Sequence, residues 1–166
     1  SHLYGPCVHV FDDPYLATLL GRIGHADTGT AELPQLVRRA YVRLLQEVLA
    51  REFPSRVQQL PTRLSVNEPR AFVKDGFLCR DTRLVVCAVI RAGLLPAQAC
   101  YEAAVEVLPP QNVRLDFLNL QRTVDQDHRV TGVRLDGSRI GGPVDDALVL
   151  IPDPMGATGA TVCRAV

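Results

Sequence analysis

The residues best suited to chemistry lie near the end of the sequence, in Ile151-Pro-Asp-Pro-Met-Gly-Ala-Thr-Gly-Ala-Thr161. Gly156, Ala157, Gly159 and Ala160 are small enough to let successive backbone N–H groups turn toward one point. Thr158 and Thr161 add hydroxyl donors, and a helix is expected to begin near Thr161. A nest of this kind at a helix amino terminus suits a phosphate. Asp153 stands at the end of the apolar run Ala147–Ile151, where a carboxylate would meet sugar hydroxyls or a Mg²⁺ ion beside that phosphate. No Gly-Lys-Ser/Thr follows, so this is not a Walker loop. The plainer alternative is a strand-to-helix turn built of small residues.

Positioning such a nest requires a buried strand ahead of it, and the spacing predicts three. Leu84–Ile90 is apolar at every residue, as in a central parallel strand covered on both faces. It runs into Arg91-Ala92-Gly93 and a helix over about Leu95–Val107, ended by Pro109-Pro110. Val113–Leu120 alternates as a second strand, and Ala147–Ile151 is the third. Between them, residues 121–143 are polar and rich in glycine, which predicts a long loop or flexible hairpin, usually functional at that length.

Ahead of this core, Asp13-Pro14 is a helix start, with Leu16, Leu19, Leu20 and Ile23 on one face and Gly24 as the stop. His9–Phe11 reads as a short strand or extended arm. Thr30 is expected to cap a long helix over Ala31–Phe53, whose stripe runs from Leu33 through Leu36, Val37, Tyr41, Leu44, Leu45 and Val48 to Leu49. Short strands are expected at Thr62–Val66 and Ala71–Val73, around an Asn67–Arg70 turn. The order is that of an α/β domain with a parallel sheet, and 166 residues make one domain, 1–166.

Composition narrows the function. Eighteen Lys+Arg balance eighteen Asp+Glu, so the basic footprint of a nucleic-acid binder is absent. No apolar run approaches the ~20 residues that cross a bilayer. The five cysteines are scattered without a CxxC pair, against both a disulfide framework and a zinc knuckle, and Cys87 and Cys100 are expected to be buried thiols. His9, His25 and His128 lack metal-ligand spacing. No signal or transit segment is visible, so a cytoplasmic protein is expected.

The Asp153–Thr161 segment closely resembles the phosphoribosyl-diphosphate (PRPP) signature of uracil phosphoribosyltransferases, type I phosphoribosyltransferases in which it reads Asp-Pro-Met-Leu-Ala-Thr-Gly-Gly-Ser/Thr. Ala88-Val-Ile-Arg-Ala-Gly-Leu94 resembles that family's Pro-Ile-Leu-Arg-Ala-Gly-Leu diphosphate loop, and Arg122 matches its arginine at the end of the equivalent strand. Pro14–Gly21 and Asp27-Thr-Gly-Thr30 are similar to its opening helix and Asp-x-x-Thr turn.

The resemblance implies transfer of the phosphoribosyl group from PRPP to uracil, giving UMP and diphosphate with Mg²⁺ as cofactor. It places the PRPP 5-phosphate in Ala157–Thr161, the ribose hydroxyls on Asp153, and the diphosphate on Arg91 and Arg122. The wider PRPP site comprises Arg91, Ala92, Gly93, Arg122, Asp153, Pro154, Met155, Gly156, Ala157, Thr158, Gly159, Ala160 and Thr161, with Asp153 and Arg91 catalytic and no metal held by the chain alone. The Arg91–Ala92 peptide is expected to be cis, the 123–142 loop to close over PRPP, and the protein to form a homodimer or larger homo-oligomer. Three departures stand out: Gly156 replaces a leucine, Ala160 replaces a glycine, and the loop lacks Asn-Glu-x-Thr-Leu-x-Pro. The family's uracil-recognising segment has no counterpart up to Val166, so the sequence reads as a fragment, with Leu148–Ile151 expected to be partly uncovered. A second function class follows from these departures: a non-catalytic homologue binding PRPP or a nucleotide as a regulatory module.

Overall fold

The computed structural model describes residues 5, 7–124, 130–154 and 163. Asp13 opens helix α1 (Pro14–Ile23) as expected: its carboxylate accepts from the N–H groups of Tyr15 (2.9 Å) and Leu16 (3.1 Å), and Pro14 occupies the first turn. Gly24 ends it, donating to the Leu20 carbonyl. The stretch His9–Phe11 forms no strand; it lies against the far end of helix α2 (Leu33–Glu52), where the Arg51 guanidinium sits 5.1 Å from the Phe11 ring centroid. Helix α2 is not capped by Thr30. It starts after a backbone turn in which Glu32 and Leu33 donate to Gly29, with Pro34 in the first turn.

The two amino-terminal helices spend their apolar stripes on each other and on the core. Leu16 and Leu19 of α1 close on Leu36 and Ala40 of α2. Further along α2, Leu45 and Leu49, with Phe53 just beyond the helix, join the main core. That core is built on strand β3 (Arg83–Ile90), whose Leu84, Val86 and Ala88 meet Ala97, Cys100 and Ala104 of helix α3 (Leu94–Val107). Val85, Cys87 and Val89 on its opposite face are buried too. Cys87 and Cys100 are therefore the buried thiols expected, and burial pushes Cys100 up to about 12.

The region between α2 and β3 departs from expectation. A hairpin pairs β1 (Ser55–Pro61) with β2 (Phe72–Leu78) antiparallel, Ser55 opposite Leu78 and Pro61 opposite Phe72. Thr62–Val66 is not a strand. Its hydroxyl lets Thr62 cap a 3₁₀ turn at Arg63–Val66 by accepting from the Leu64 N–H, while donating to the Ala71 carbonyl at 2.9 Å. That local competition for backbone groups is why a run of strand-forming residues turns instead.

The second sheet has the order β5-β4-β3-β6. Strand β3 lies parallel to both β4 (Val113–Val124) and β6 (Ala147–Leu150). The segment expected as a loop or hairpin is a hairpin: β5 (Val130–Arg139) returns antiparallel along β4. The sheet is consequently mixed, not all parallel. Among the described residues β6 is an edge strand, and Val149 on it is 48% exposed, in line with the expected partial covering. No helix among the described residues is long and apolar enough to cross a membrane.

Candidate functional site

At the carboxyl end of β3, the pairing with β4 finishes at Ile90, opposite Asn119. The chain then reverses: Gly93 donates back to the Val89 carbonyl at 2.9 Å, and Leu94 donates to the Arg91 carbonyl at 3.2 Å as α3 begins. The cis peptide lies between Ile90 and Arg91, not between Arg91 and Ala92 as expected, so the reversal starts directly at the last paired residue. This short turn leaves Arg91 and Ala92 exposed and buries Gly93.

Gly93 is the contact that assembles the site. A Cβ built on it would stand 2.8 Å from the Val89 carbonyl oxygen, 2.9 Å from the Val89 nitrogen and 3.1 Å from the Pro152 carbonyl oxygen. All three are backbone atoms, so no side chain can give way, and only glycine permits the approach. The approach joins two separate stretches of sequence. Strand β6 ends its pairing at Leu150, opposite Val86, and the chain continues through Ile151 and the buried Pro152 to the half-buried Asp153. Arg91, Ala92, Gly93 and Asp153 are thereby brought to the same end of the sheet, the end at which open α/β sheets bind ligands.

Helix α2 adds a residue that the sequence presented only as part of an apolar stripe. Tyr41 is half-buried, and its phenol is pushed up to about 12, first by burial and then by the negative charge of Asp153 and by Cys100. The Cys100 thiol donates to the Tyr41 carbonyl at 3.8 Å, tying α2 to α3 at this level. Nothing in helical periodicity separates a phenol that feels the charge of a carboxylate from one that only fills a core.

Arg122 lies on β4 opposite Val133, beyond the last β3–β4 pair, so its backbone is at the same end of the sheet as Arg91. Beside the Arg91 turn, Ile90, Leu94, Phe117, Asn119 and Arg139 line a hollow of about 450 Å³. Pro154 is exposed at a bend. Met155, Gly156, Ala157, Thr158, Gly159, Ala160 and Thr161, expected to form the anion nest, lie outside the described residues. Asp27–Thr30 belongs to the α1–α2 connection, where the Thr28 hydroxyl donates to the Arg22 carbonyl.

A protein-family model described as uracil phosphoribosyltransferase matches residues 10–166. Among solved structures, one described as the structure of AQ2163 protein from Aquifex aeolicus superposes with a TM-score of 0.68 at 22% identity, over 95% of this chain and 66% of that one. At that identity the likeness concerns the fold, and the chain spans just under two thirds of the length it is compared with. No curated protein matches.

Gly93→Ala should lower stability by about 1–3 kcal/mol, the usual cost of forcing atoms into a packed site, read as a drop in Tm. An unchanged Tm would show that the two turns are not in contact. Raising the pKa of an acid in the folded state makes it a stabilising proton site below its ordinary pKa. The contribution of Tyr41 should thus be complete below pH 10.0 and lost as pH rises toward about 12. Ultraviolet titration should show a phenolate step near pH 12 that Tyr41→Phe removes and Asp153→Asn brings down.

Proposed function

Because this chain belongs to the uracil phosphoribosyltransferase family, we propose that it transfers the phosphoribosyl group of PRPP to uracil, releasing diphosphate and forming UMP. The observation that carries the reading is the Gly93–Pro152 approach. It sets the Arg91 turn beside the Asp153 turn, which a substrate with a diphosphate on one side of a ribose requires.

The reaction is a displacement at ribose C1 by uracil N1. The bond to diphosphate breaks early, so positive charge gathers on the ribose and negative charge on the leaving group. Arg91 and Arg122 would spread the negative charge through forked guanidinium donors. Asp153 would accept from the ribose hydroxyls and hold the ring in line. The backbone of Ala157–Thr161 would hold the 5-phosphate. Each of these roles is positioning or electrostatic, so no side-chain nucleophile is needed.

Among the described residues, no three His, Cys, Asp or Glu side chains are grouped to hold a metal ion. Mg²⁺ keeps its waters and binds one or two carboxylates plus phosphate oxygens, so the ion would arrive on the substrate. Asp153 is the carboxylate the chain would supply. When bound, the ion offsets the charge on the leaving diphosphate.

A second reading, PRPP or nucleotide binding without transfer, is favoured by the 123–142 segment lacking the family's Asn-Glu-x-Thr-Leu-x-Pro stretch. One experiment separates the two. Purified protein with PRPP, Mg²⁺ and radiolabelled uracil should form UMP, and Asp153→Asn should cut kcat/KM at least ~10-fold, the scale of one lost charge-assisted hydrogen bond, with unchanged circular dichroism. PRPP binding by calorimetry with no UMP formed would establish the second reading.

The expected dimer finds support in an unexpected place. Most of the α1 and α2 stripes packs within the chain, Leu20 and Leu33 staying exposed, whereas the β1–β2 hairpin exposes Val57 (69%), Leu64 (68%), Val66 (86%), Phe72 and Val73. A lone two-stranded hairpin is marginally stable, and a second copy covering it would bury this surface. Sedimentation at micromolar concentration should give a homodimer, with an interface above ~1,000 Å². A monomer would overturn the assignment, as would a dimer unaffected by Val57→Lys with Val66→Lys.

A further inference from the structure

The face of the sheet opposite α3 carries a charged side chain that the transfer chemistry does not use. Asp116 on β4 is only 3% exposed. Arg114, on the same strand and face, binds it in a fork: Nε lies 3.0 Å from both carboxylate oxygens, and Nη2 lies 2.9 Å from Oδ2. The pair also grips the segment that follows β5. Gly141 donates its N–H to Asp116 Oδ1 at 3.0 Å, while Arg114 donates to the Gly142 carbonyl at 3.0 Å and the Pro143 carbonyl at 3.4 Å. Every group is matched by charge, cation to carbonyls and carboxylate to N–H.

Two glycines make the grip possible. A Cβ on Gly141 would stand 2.7 Å from Arg114 Cδ. Gly142 has φ +150°, and a Cβ there would meet Arg114 Nη1 at 3.3 Å. Among the described residues strand β5 is otherwise an edge, paired with β4 alone. Beyond Asn119, where β3 stops pairing, β4 and β5 continue as a ribbon with no third strand among the described residues, and that ribbon carries the backbone of Arg122. Register irregularities at Asn119/Leu120 and Thr123/Val124 interrupt its pairing and bend it locally.

We infer that Arg114 and Asp116 are positioning residues: their clasp on Gly141 and Gly142 fastens the base of the β4–β5 ribbon and so sets where Arg122 stands relative to PRPP. This rests on the transferase reading for its consequence but not for its geometry. Asp116 also lines a cavity of about 450 Å³ with Cys87, Leu118, Ile140, Val144 and Ile151, so the clasp holds the 140–144 strap over this face of the sheet.

The test compares amide hydrogen exchange and steady-state kinetics of the whole protein with Asp116→Asn and Gly141→Ala, the second keeping both charges in case the first does not fold. Exchange at Asp136–Gly142 should accelerate while Leu84–Ile90 keeps its protection. The KM for PRPP should rise ~5-fold or more with kcat much less affected, and the effect should vanish in an Arg122→Ala background, as residues acting through one another require. Unchanged exchange at Asp136–Gly142, an equal loss of protection in β3, or additivity with Arg122→Ala would overturn the inference. If the wild-type protein makes no UMP but exchange changes locally, the transferase reading fails and the clasp stands.

Discussion

Strand β3 is paired along both edges and covered on both faces, and every element near the candidate site takes its position from that burial. Residues Leu84 to Val89 are all buried, with Val86 and Ala88 fully so. A strand in that setting cannot slip by one residue without exposing half its side chains to the wrong face. Its parallel registers with β4 and β6 therefore hold Ile90, Asn119 and Leu150 at fixed levels. The turns that leave these strands emerge close together, and Gly93 turns proximity into backbone contact with Pro152.

On one side, α3 packs on β3 and β4, α2 on α3, and α1 on α2, with the ion pairs Arg38–Glu102 and Arg43–Asp13 joining successive layers. Ion pairs open to solvent on one side contribute little alone; the apolar contacts of Leu36, Leu45 and Leu49 carry the stack. Asp13 shows how one residue can serve two levels of structure, capping α1 and bridging to α2. The hydrogen bonds of the cap and the charge of Arg43 hold its carboxyl below the usual range. On the other side, no helix among the described residues covers the sheet, and the Arg114–Asp116 clasp fastens the 140–144 strap there instead. A buried ion pair is costly to desolvate. What justifies this one physically is that all its partners are satisfied, including two carbonyls and an N–H from the strap.

Much of the architecture was legible in the sequence, because the signals were local. The uniformly apolar Leu84–Ile90 suited a central strand, Asp13-Pro14 signalled a helix start, and most of the α1 and α2 stripes pointed to their packed faces. The motifs around Arg91 and Asp153 were equally plain, since they depend on small residues following a strand. Where local signals competed, the reading slipped. Thr62–Val66 has strand-forming residues, yet the Thr62 hydroxyl captured the backbone for a turn, and strand β1 began earlier, at Ser55. Thr30 looked like a cap, yet backbone donors to Gly29 did its work.

By itself the sequence determined the order of elements, the family and the residue types at the phosphoribosyl site. Only the tertiary structure decided which of them meet. It paired Phe117–Val124 with Val130–Arg139, packed most of the helix stripes within the chain and left the β1–β2 hairpin with a row of exposed apolar side chains. It also set the phenol of Tyr41 within reach of the charge on Asp153 and gave Arg114, Asp116, Gly141 and Gly142 a common purpose. These are contacts between residues far apart in the chain, and their geometry follows from strand register and helix packing, which no local pattern of residues encodes.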